Sequence, residues 1–306
     1  MTRGGSSTAL RRAEARAAWW FMAPALGAMA LVAAGPILWT AWESVHLHDL
    51  RMPWLGRPFI GLDNYREALA TPRVIGAAGH TAVFVLLTVS VEVVAGLALA
   101  LVLNHQRRAR GVVRAAALLP WALPTVVVAL LWRFAFEGPG SAANLALASV
   151  SLANQPVAWL SGSVTAWVPI VLADAWRMTP FVAVLILAGL QQIDPALHEA
   201  ARLDGASPWR AFRAITLPLV APALQVATLF RALDAARVFD LVYVLTGGGP
   251  GAATEPLSLY AFEALMRHLR FGYGSAISMG VFVASFAGAL VWIRLMGRRA
   301  LAREDA

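Results

Sequence analysis

The sequence predicts an all-α membrane protein with six transmembrane helices, and three observations carry that prediction. Of 306 residues, 59% are hydrophobic and only 14% charged, with a mean hydropathy of +0.65, whereas roughly a quarter of an average soluble domain is charged. Six apolar stretches reach the ~20 residues that a bilayer core requires. The 25 basic residues, every one an arginine, fall unevenly between alternate connections, as membrane topology demands.

The stretches follow in order. The first, 17–42, is free of charge and closes on Trp39 and Trp42, suited to a membrane interface. Arg11-Arg12 ahead of it has the form of a twin-arginine secretion signal, but the apolar run is too long for a signal core and reads as an anchor. The second covers 74–103, the third 115–136, the fourth 163–190 and the sixth 275–293. The fifth, 219–245, carries Arg231, Asp234, Arg237 and Asp240. Between them lie short connections with turn chemistry: Gly56-Arg57-Pro58, Glu137-Gly138-Pro139-Gly140 and Thr246-Gly247-Gly248-Gly249-Pro250-Gly251. Helical spacing of Leu259, Phe262, Leu265, Met266 and Leu269 predicts a further helix lying at the outer membrane surface.

The N-terminal tail, the 104–114 loop, the 191–218 loop and the C-terminal end together hold 15 arginines, and the opposite connections hold 6. Both termini are therefore expected in the cytoplasm, with tails at 1–16 and 294–306 flanking a membrane domain at 17–293. Topology accounts for the net charge of +8, so nucleic acid is not an expected partner. The absence of lysine removes a Walker P-loop and Schiff-base chemistry from this chain. The absence of cysteine removes thiolate metal sites and thiol nucleophiles. His46 and His48 lack a third ligand in the sequence and read as solvated loop residues, so no metal is expected. His80 and Glu92 in the second stretch read as interhelical hydrogen-bonding groups. No catalytic constellation stands out, and the chain is not expected to be an enzyme.

The 191–218 loop is far longer than a connector needs, and its punctuation predicts two short helices meeting at an elbow. Asp194 precedes Pro195 as cap and first-turn proline, Ser207-Pro208 repeats the device, and Gly205 suits the left-handed position between them. Ala200 and Ala201 permit close approach of another protein, and Trp209 with Phe212 offers an aromatic face.

Glu199-Ala200-Ala201, Gly205 and Ile215-Thr216-Leu217-Pro218 resemble the EAA loop of the membrane-spanning permeases of binding-protein-dependent ABC importers. The resemblance extends to Phe59-Ile60-Gly61-Leu62-Asp63-Asn64-Tyr65, Leu119-Pro120 with Pro124, Trp176 with Thr179-Pro180-Phe181, Phe239-Asp240, and Tyr243-Val244-Leu245-Thr246-Gly247-Gly248-Gly249-Pro250. These are similar to the carbohydrate branch, the maltose/trehalose/glycerol-phosphate type, and to the first of its two permeases. The resemblance implies a type I ABC importer permease fold in the bacterial plasma membrane. It implies a second permease subunit, two ATPase subunits or a homodimeric ATPase, an extracytoplasmic solute-binding protein and membrane lipid as partners, with ATP and Mg bound by the ATPases and no cofactor in this chain. It also implies import of a sugar, such as a trehalose- or maltose-type di- or oligosaccharide, by alternating access. ATPase coupling then falls to Glu199, Ala200, Ala201, Asp204, Gly205, Trp209, Phe212, Ile215, Leu217 and Pro218.

Ionisable groups at bilayer depth mark functional paths, and a carboxylate, a guanidinium and an aromatic ring together suit a polyol. The motifs of the maltose type, carried over residue by residue, place Trp121, Thr125, Asp174, Arg177, Met178, Phe181, Arg231, Asp234, Ala235 and Val238 on the solute path. Spacing of three winds the charges of the fifth stretch half-way round a helix, so some of them are expected to serve structure. This chain is charged where the maltose type is neutral and polar, which leaves room for an acidic or phosphorylated sugar. Two other readings stay open: an ABC permease for a non-sugar solute, and a secondary transporter coupling ions through Glu92, Asp174 or Asp234.

Overall fold

Long apolar runs free of internal breakers fold as single helices, and the departures from that rule are local and traceable. The computed structural model describes residues 5–105, 110–150 and 155–304. In chain order it contains α1 (Gly5–Met29), α2 (Gly35–Ser44), α3 (Asp63–Ala70), α4 (Pro72–His105), α5 (Arg110–Ala122), α6 (Thr125–Phe136) and α7 (Ala142–Ser149). Then come α8 (Trp167–Leu190), α9 (Pro195–Leu203), α10 (Pro208–Ala211), α11 (Leu217–Ala235), α12 (Asp240–Leu245), α13 (Leu257–Phe262) and α14 (Phe271–Glu304). Among the described residues, five helical segments are long and apolar enough to cross a membrane: Ala17–Ser44, Pro72–His105, Trp167–Leu190, Pro208–Ala235 and Phe271–Met296. A bent pair, Gly111–Ala122 and Thr125–Phe136, completes six. The chain is an all-α membrane protein, as the sequence predicts.

Two expectations need correction. The third stretch is not straight: it breaks at Leu123-Pro124 and bends by 85°. Pro124 holds φ −58°, ψ 135° and disfavours a helical Leu123, so two helices replace one. The fifth stretch ends at Ala235, and residues 236–239 turn before α12 begins at Asp240. There is no glycine or proline at this break. It is set by neighbours: the Ser258 hydroxyl donates to the Val238 carbonyl, and Phe239 packs on Phe262 with ring centroids 4.9 Å apart. Pro180, by contrast, does not interrupt its helix, which is continuous from Trp167 to Leu190. Helix extends into the expected tails, α1 starting at Gly5 and α14 continuing to Glu304.

The chain divides into two units. One comprises residues 1–68 and 264–279. Its long first helix opens into a π-turn at Ala30–Ala34, just before Pro36, whose missing N–H interrupts the α-helical ladder. Asn64 donates to the carbonyls of Ser44 (2.9 Å) and His46 (3.0 Å), tying α3 under α2. The other unit comprises residues 69–263 and 280–306. Its centre is α4 against α8 against α11. Gly96 lets α4 approach α8 so closely that a Cβ there would lie 2.6 Å from Val182. Gly189 does the same for α8 and α11, with Ala223 at 2.6 Å from its missing Cβ. Small residues at such crossings are how membrane helices gain van der Waals contact. Phe84, Val128, Ile170, Leu241 and Leu259 form one buried cluster; Leu103, Val182, Ile186, Val220 and Ala227 form a second.

Candidate functional site

Arg231 organises the charged site. It projects from α11, is 1% exposed, and makes four hydrogen bonds to three carboxylates. Its Nε donates to Glu92 Oε2 at 2.5 Å and its Nη2 to Glu92 Oε1 at 2.8 Å. Nη2 also donates to Asp174 Oδ2 at 2.8 Å, and Nη1 to Asp234 Oδ2 at 2.6 Å. Glu92 belongs to α4 and Asp174 to α8, both buried, so one guanidinium ties three helices. A planar fork with five N–H groups is the one side chain built for this task. Asp234 faces outward from the cluster and receives a second bond, from Arg237 Nη2 at 3.4 Å.

A cleft of about 180 Å³ opens beside this cluster. Seven of the ten residues expected on the solute path line it: Thr125, Asp174, Arg177, Arg231, Asp234, Ala235 and Val238. Three do not. Trp121 stacks on Phe181 with centroids 5.7 Å apart, Phe181 packs against the second apolar cluster, and Met178 is buried in α8. The 85° bend falls between Trp121 and Thr125, so the two do not share one helix face. Phe84, Arg237, Phe239 and Asp240 also line the cleft, although they are not among the expected path residues; Phe239-Asp240 is marked by the resemblance and Arg237 by its charge, whereas Phe84 is an ordinary apolar position in the sequence. The lining charges are balanced, Arg177, Arg231 and Arg237 against Asp174, Asp234 and Asp240. Among the described residues the buried Nε of Arg177 has no hydrogen-bond partner.

Glu92 makes the interhelical hydrogen bonds expected of it, accepting from Arg231 of α11. His80 Nδ1 lies 3.2 Å from the Glu255 carbonyl. The loop histidines are likewise engaged, His46 Nδ1 with the Trp42 carbonyl at 2.6 Å and His48 Nδ1 with Glu43 at 2.7 Å.

The elbow forms as its punctuation predicts. Asp194 caps α9, its carboxylate accepting from the Ala196 N–H at 2.9 Å, and Ser207 caps α10, its hydroxyl accepting from the Arg210 N–H at 3.3 Å. Gly205 takes φ +73° between them, where a Cβ would be strained. Glu199, Ala200, Asp204 and Gly205 are exposed, and Ala201 is half-buried. Trp209, 69% exposed, stacks on Phe212 with centroids 5.5 Å apart. The second half of the elbow is no separate helix, however. It runs from Pro208 through a π-turn at Phe212–Thr216 directly into α11, so Ile215, Leu217 and Pro218 lie in the root of the long helix. A residue pair the sequence did not mark fastens the two halves: His198 Nε2 lies 3.0 Å from Thr216 Oγ1.

The family described as binding-protein-dependent transport system inner membrane component matches residues 92–301. The chain is 40% identical over 286 residues to the trehalose/maltose transport system permease protein MalF of Thermococcus litoralis, across 94% of this chain and 95% of the relative. It is 38% identical over 306 residues to the trehalose transport system permease protein SugA of Mycobacterium tuberculosis, across 98% and 95% of the two chains. The fold matches, with a TM-score of 0.78 at 21% identity, a chain of a bacterial ABC transporter involved in the import of the acidic polysaccharide alginate. That match covers 94% of this chain and 99% of the other.

Proposed function

The chain belongs to the family of binding-protein-dependent transport system inner membrane components, and from that premise we propose that it carries an uncharged di- or oligosaccharide of the trehalose/maltose type through the plasma membrane into the cytoplasm. In this reading it pairs with a second permease, receives sugar from an extracytoplasmic binding protein, and is driven by two ATPase subunits that hold ATP and Mg, with no cofactor of its own. Both termini and the elbow face the cytoplasm, as the arginine distribution indicates.

The observation that carries the mechanism is the continuity of α10 and α11. The second half of the elbow and Arg231 lie on one helical rod from Pro208 to Ala235, and the His198–Thr216 contact ties α9 to its root. At 1.5 Å per residue, 23 residues separate Pro208 from Arg231 by roughly 35 Å. ATPase closure against the Glu199 to Phe212 surface thus acts directly on the wall of the cleft. Solute at the cleft biases the cycle only by its differential affinity for the two states.

The charge balance of the cleft supports a neutral sugar over an acidic one. Arg231 is committed to three carboxylates within the protein, which leaves no free cationic cluster for a phosphate or uronate. Arg177, with its unpartnered Nε, supplies a donor to a hydroxyl, and Phe84 and Phe239 supply apolar faces. The names of the trehalose and maltose relatives agree with this. Ion coupling through Glu92, Asp174 or Asp234 is disfavoured for the same reason, because all three are fixed to one arginine.

The test is reconstitution. The chain, co-purified with its partner subunits, is placed in liposomes with ATP inside and labelled trehalose or maltose plus the binding protein outside. ATP-dependent uptake of a neutral sugar is expected. Uptake that proceeds without ATP, or that favours a sugar phosphate, would overturn the proposal.

A further inference from the structure

A second cavity, of about 240 Å³, lies away from the charged cleft, between α4, α5 and α8. Its wall is hydrocarbon, from Leu99 and Leu103 of α4, Leu118 of α5 and Val184 and Leu187 of α8. Two polar side chains interrupt it, Arg114 and Gln191. Arg114 Nε is buried without a hydrogen-bond partner among the described residues. A guanidinium N–H left unpaired against hydrocarbon is costly and calls for an acceptor.

The placement of these two residues says where the acceptor comes from. Arg114 lies in the first turns of α5, Gln191 is the C-terminal cap of α8, and Leu103 is two residues from the end of α4. All three therefore mark the same membrane face, the one whose 104–114 loop also carries Arg107, Arg108 and Arg110 in the sequence. From Gln191 the groove follows α8 inward to Pro180, eleven residues or roughly 16 Å. Cation and amide at the membrane surface with hydrocarbon running inward from them match one amphiphile: phosphate at the mouth, acyl chain along the groove. Basic pockets between helices on the cytoplasmic side bind anionic headgroups by this chemistry.

We propose that the groove between α4, α5 and α8 is a binding site for one anionic phospholipid of the cytoplasmic leaflet, whose phosphate accepts from Arg114 and Gln191 and whose acyl chain lies along Leu99, Leu118 and Val184. Only the choice of leaflet rests on the orientation given above. The lipid would bridge the helix that follows the arginine loop to the helix that leads into the elbow, making transport sensitive to membrane composition.

The experiment uses the assembled transporter extracted in mild detergent, with retained phospholipid identified and counted by native mass spectrometry. Wild type is expected to retain phosphatidylglycerol or cardiolipin over phosphatidylethanolamine. Arg114→Gln should lower anionic retention roughly fivefold, the worth of one arginine at a lipid surface. Arg114→Lys should keep most of it, and Leu118→Trp should lose it by filling the groove with the charge intact. Each variant is first shown to co-purify with its partners in wild-type yield, and one that does not is replaced by Arg114→Met or Val184→Phe. Equal retention in Arg114→Gln and wild type would overturn the proposal. So would a bound mass of inorganic phosphate without lipid, or a photo-crosslink from position 118 to a partner subunit in place of lipid.

Discussion

Replacing Arg231 by methionine tests the centre of the site most directly. The change keeps a long apolar stem and deletes four hydrogen bonds at once. The three arms are unequal. The Asp234 carboxylate is 42% exposed at its side chain, so its arm is worth only about 0.2–1 kcal/mol. Glu92 and Asp174 are 0% and 4% exposed, and removing their shared counter-charge leaves two buried carboxylates facing each other, a loss of about 3–5 kcal/mol. At roughly 2–4 °C per kcal/mol for a domain of this order of size, melting should fall by about 6–20 °C. The assay is thermal unfolding in detergent at a fixed scan rate, read by loss of the monodisperse chromatographic peak. Combining Arg231→Met with Glu92→Gln and Asp174→Asn removes the uncompensated charge and should recover most of the loss. The reasoning fails if Arg231→Met melts within about 2 °C of wild type, or if the triple variant is no more stable than the single one.

Other outcomes follow from the same geometry. Arg177→Gln deletes a buried N–H with no partner among the described residues; it should leave melting nearly unchanged and raise the half-saturating sugar concentration in the uptake assay. Glu199→Lys alters an exposed residue of α9 and should abolish ATP-driven uptake at normal membrane insertion; uptake at the wild-type rate would remove the elbow from the coupling path. Gly189→Leu places side-chain atoms where Ala223 already lies 2.6 Å from the missing Cβ; overpacking of about 1–3 kcal/mol should appear as a lower melting temperature. Arg51 donates to Asp49 and holds its carboxyl below the ordinary value. A depressed folded-state pKa contributes stability above the unfolded value near 4, and that stability is lost as pH falls through the lower, folded value. Hydrogen exchange in the 45–58 loop should therefore accelerate below about pH 4, and Asp49→Asn should remove that dependence.

Local signals carried the elbow and the spans; distant partners carried the rest. Asp194-Pro195 and Ser207-Pro208 act within three residues, so both caps and the Gly205 turn were legible without any knowledge of packing. Apolar length marks every span but not the bend at Pro124, because a single proline leaves the mean hydropathy of about twenty residues unchanged while it breaks the helix. The break at 236–239 had no local sign, because the Ser258 hydroxyl and Phe262 that set it lie some twenty residues onward. Glu92 was legible only as an interhelical hydrogen-bonding group: its partner Arg231 is 139 residues away, beyond what local spacing can assign. The four charges of the fifth stretch did announce that some serve structure, but which ones became clear only with α4 and α8 in place. Arg231 proved structural at its core while still lining the cleft.

In the proposed mechanism, that dual position determines how motion reaches the solute. A push on the elbow travels along the rod to Arg231, but contacts of 2.5–2.8 Å to Glu92 and Asp174 tolerate little sliding before their geometry is lost. The tight crossings at Gly96 and Gly189 resist the same sliding by contact. Helices α4, α8 and α11 therefore respond together, and yielding is left to the joints outside them, the 236–239 turn and the 85° bend beside Pro124, both of which border the cleft through Val238 and Thr125. Cluster and elbow defects should consequently fail in different ways. Glu199→Lys leaves a stable rod with nothing driving it, so melting stays and transport goes. Arg231→Met loosens the rod from its neighbours, so melting and transport fall together, and only the charge-neutral triple variant separates them by restoring the first.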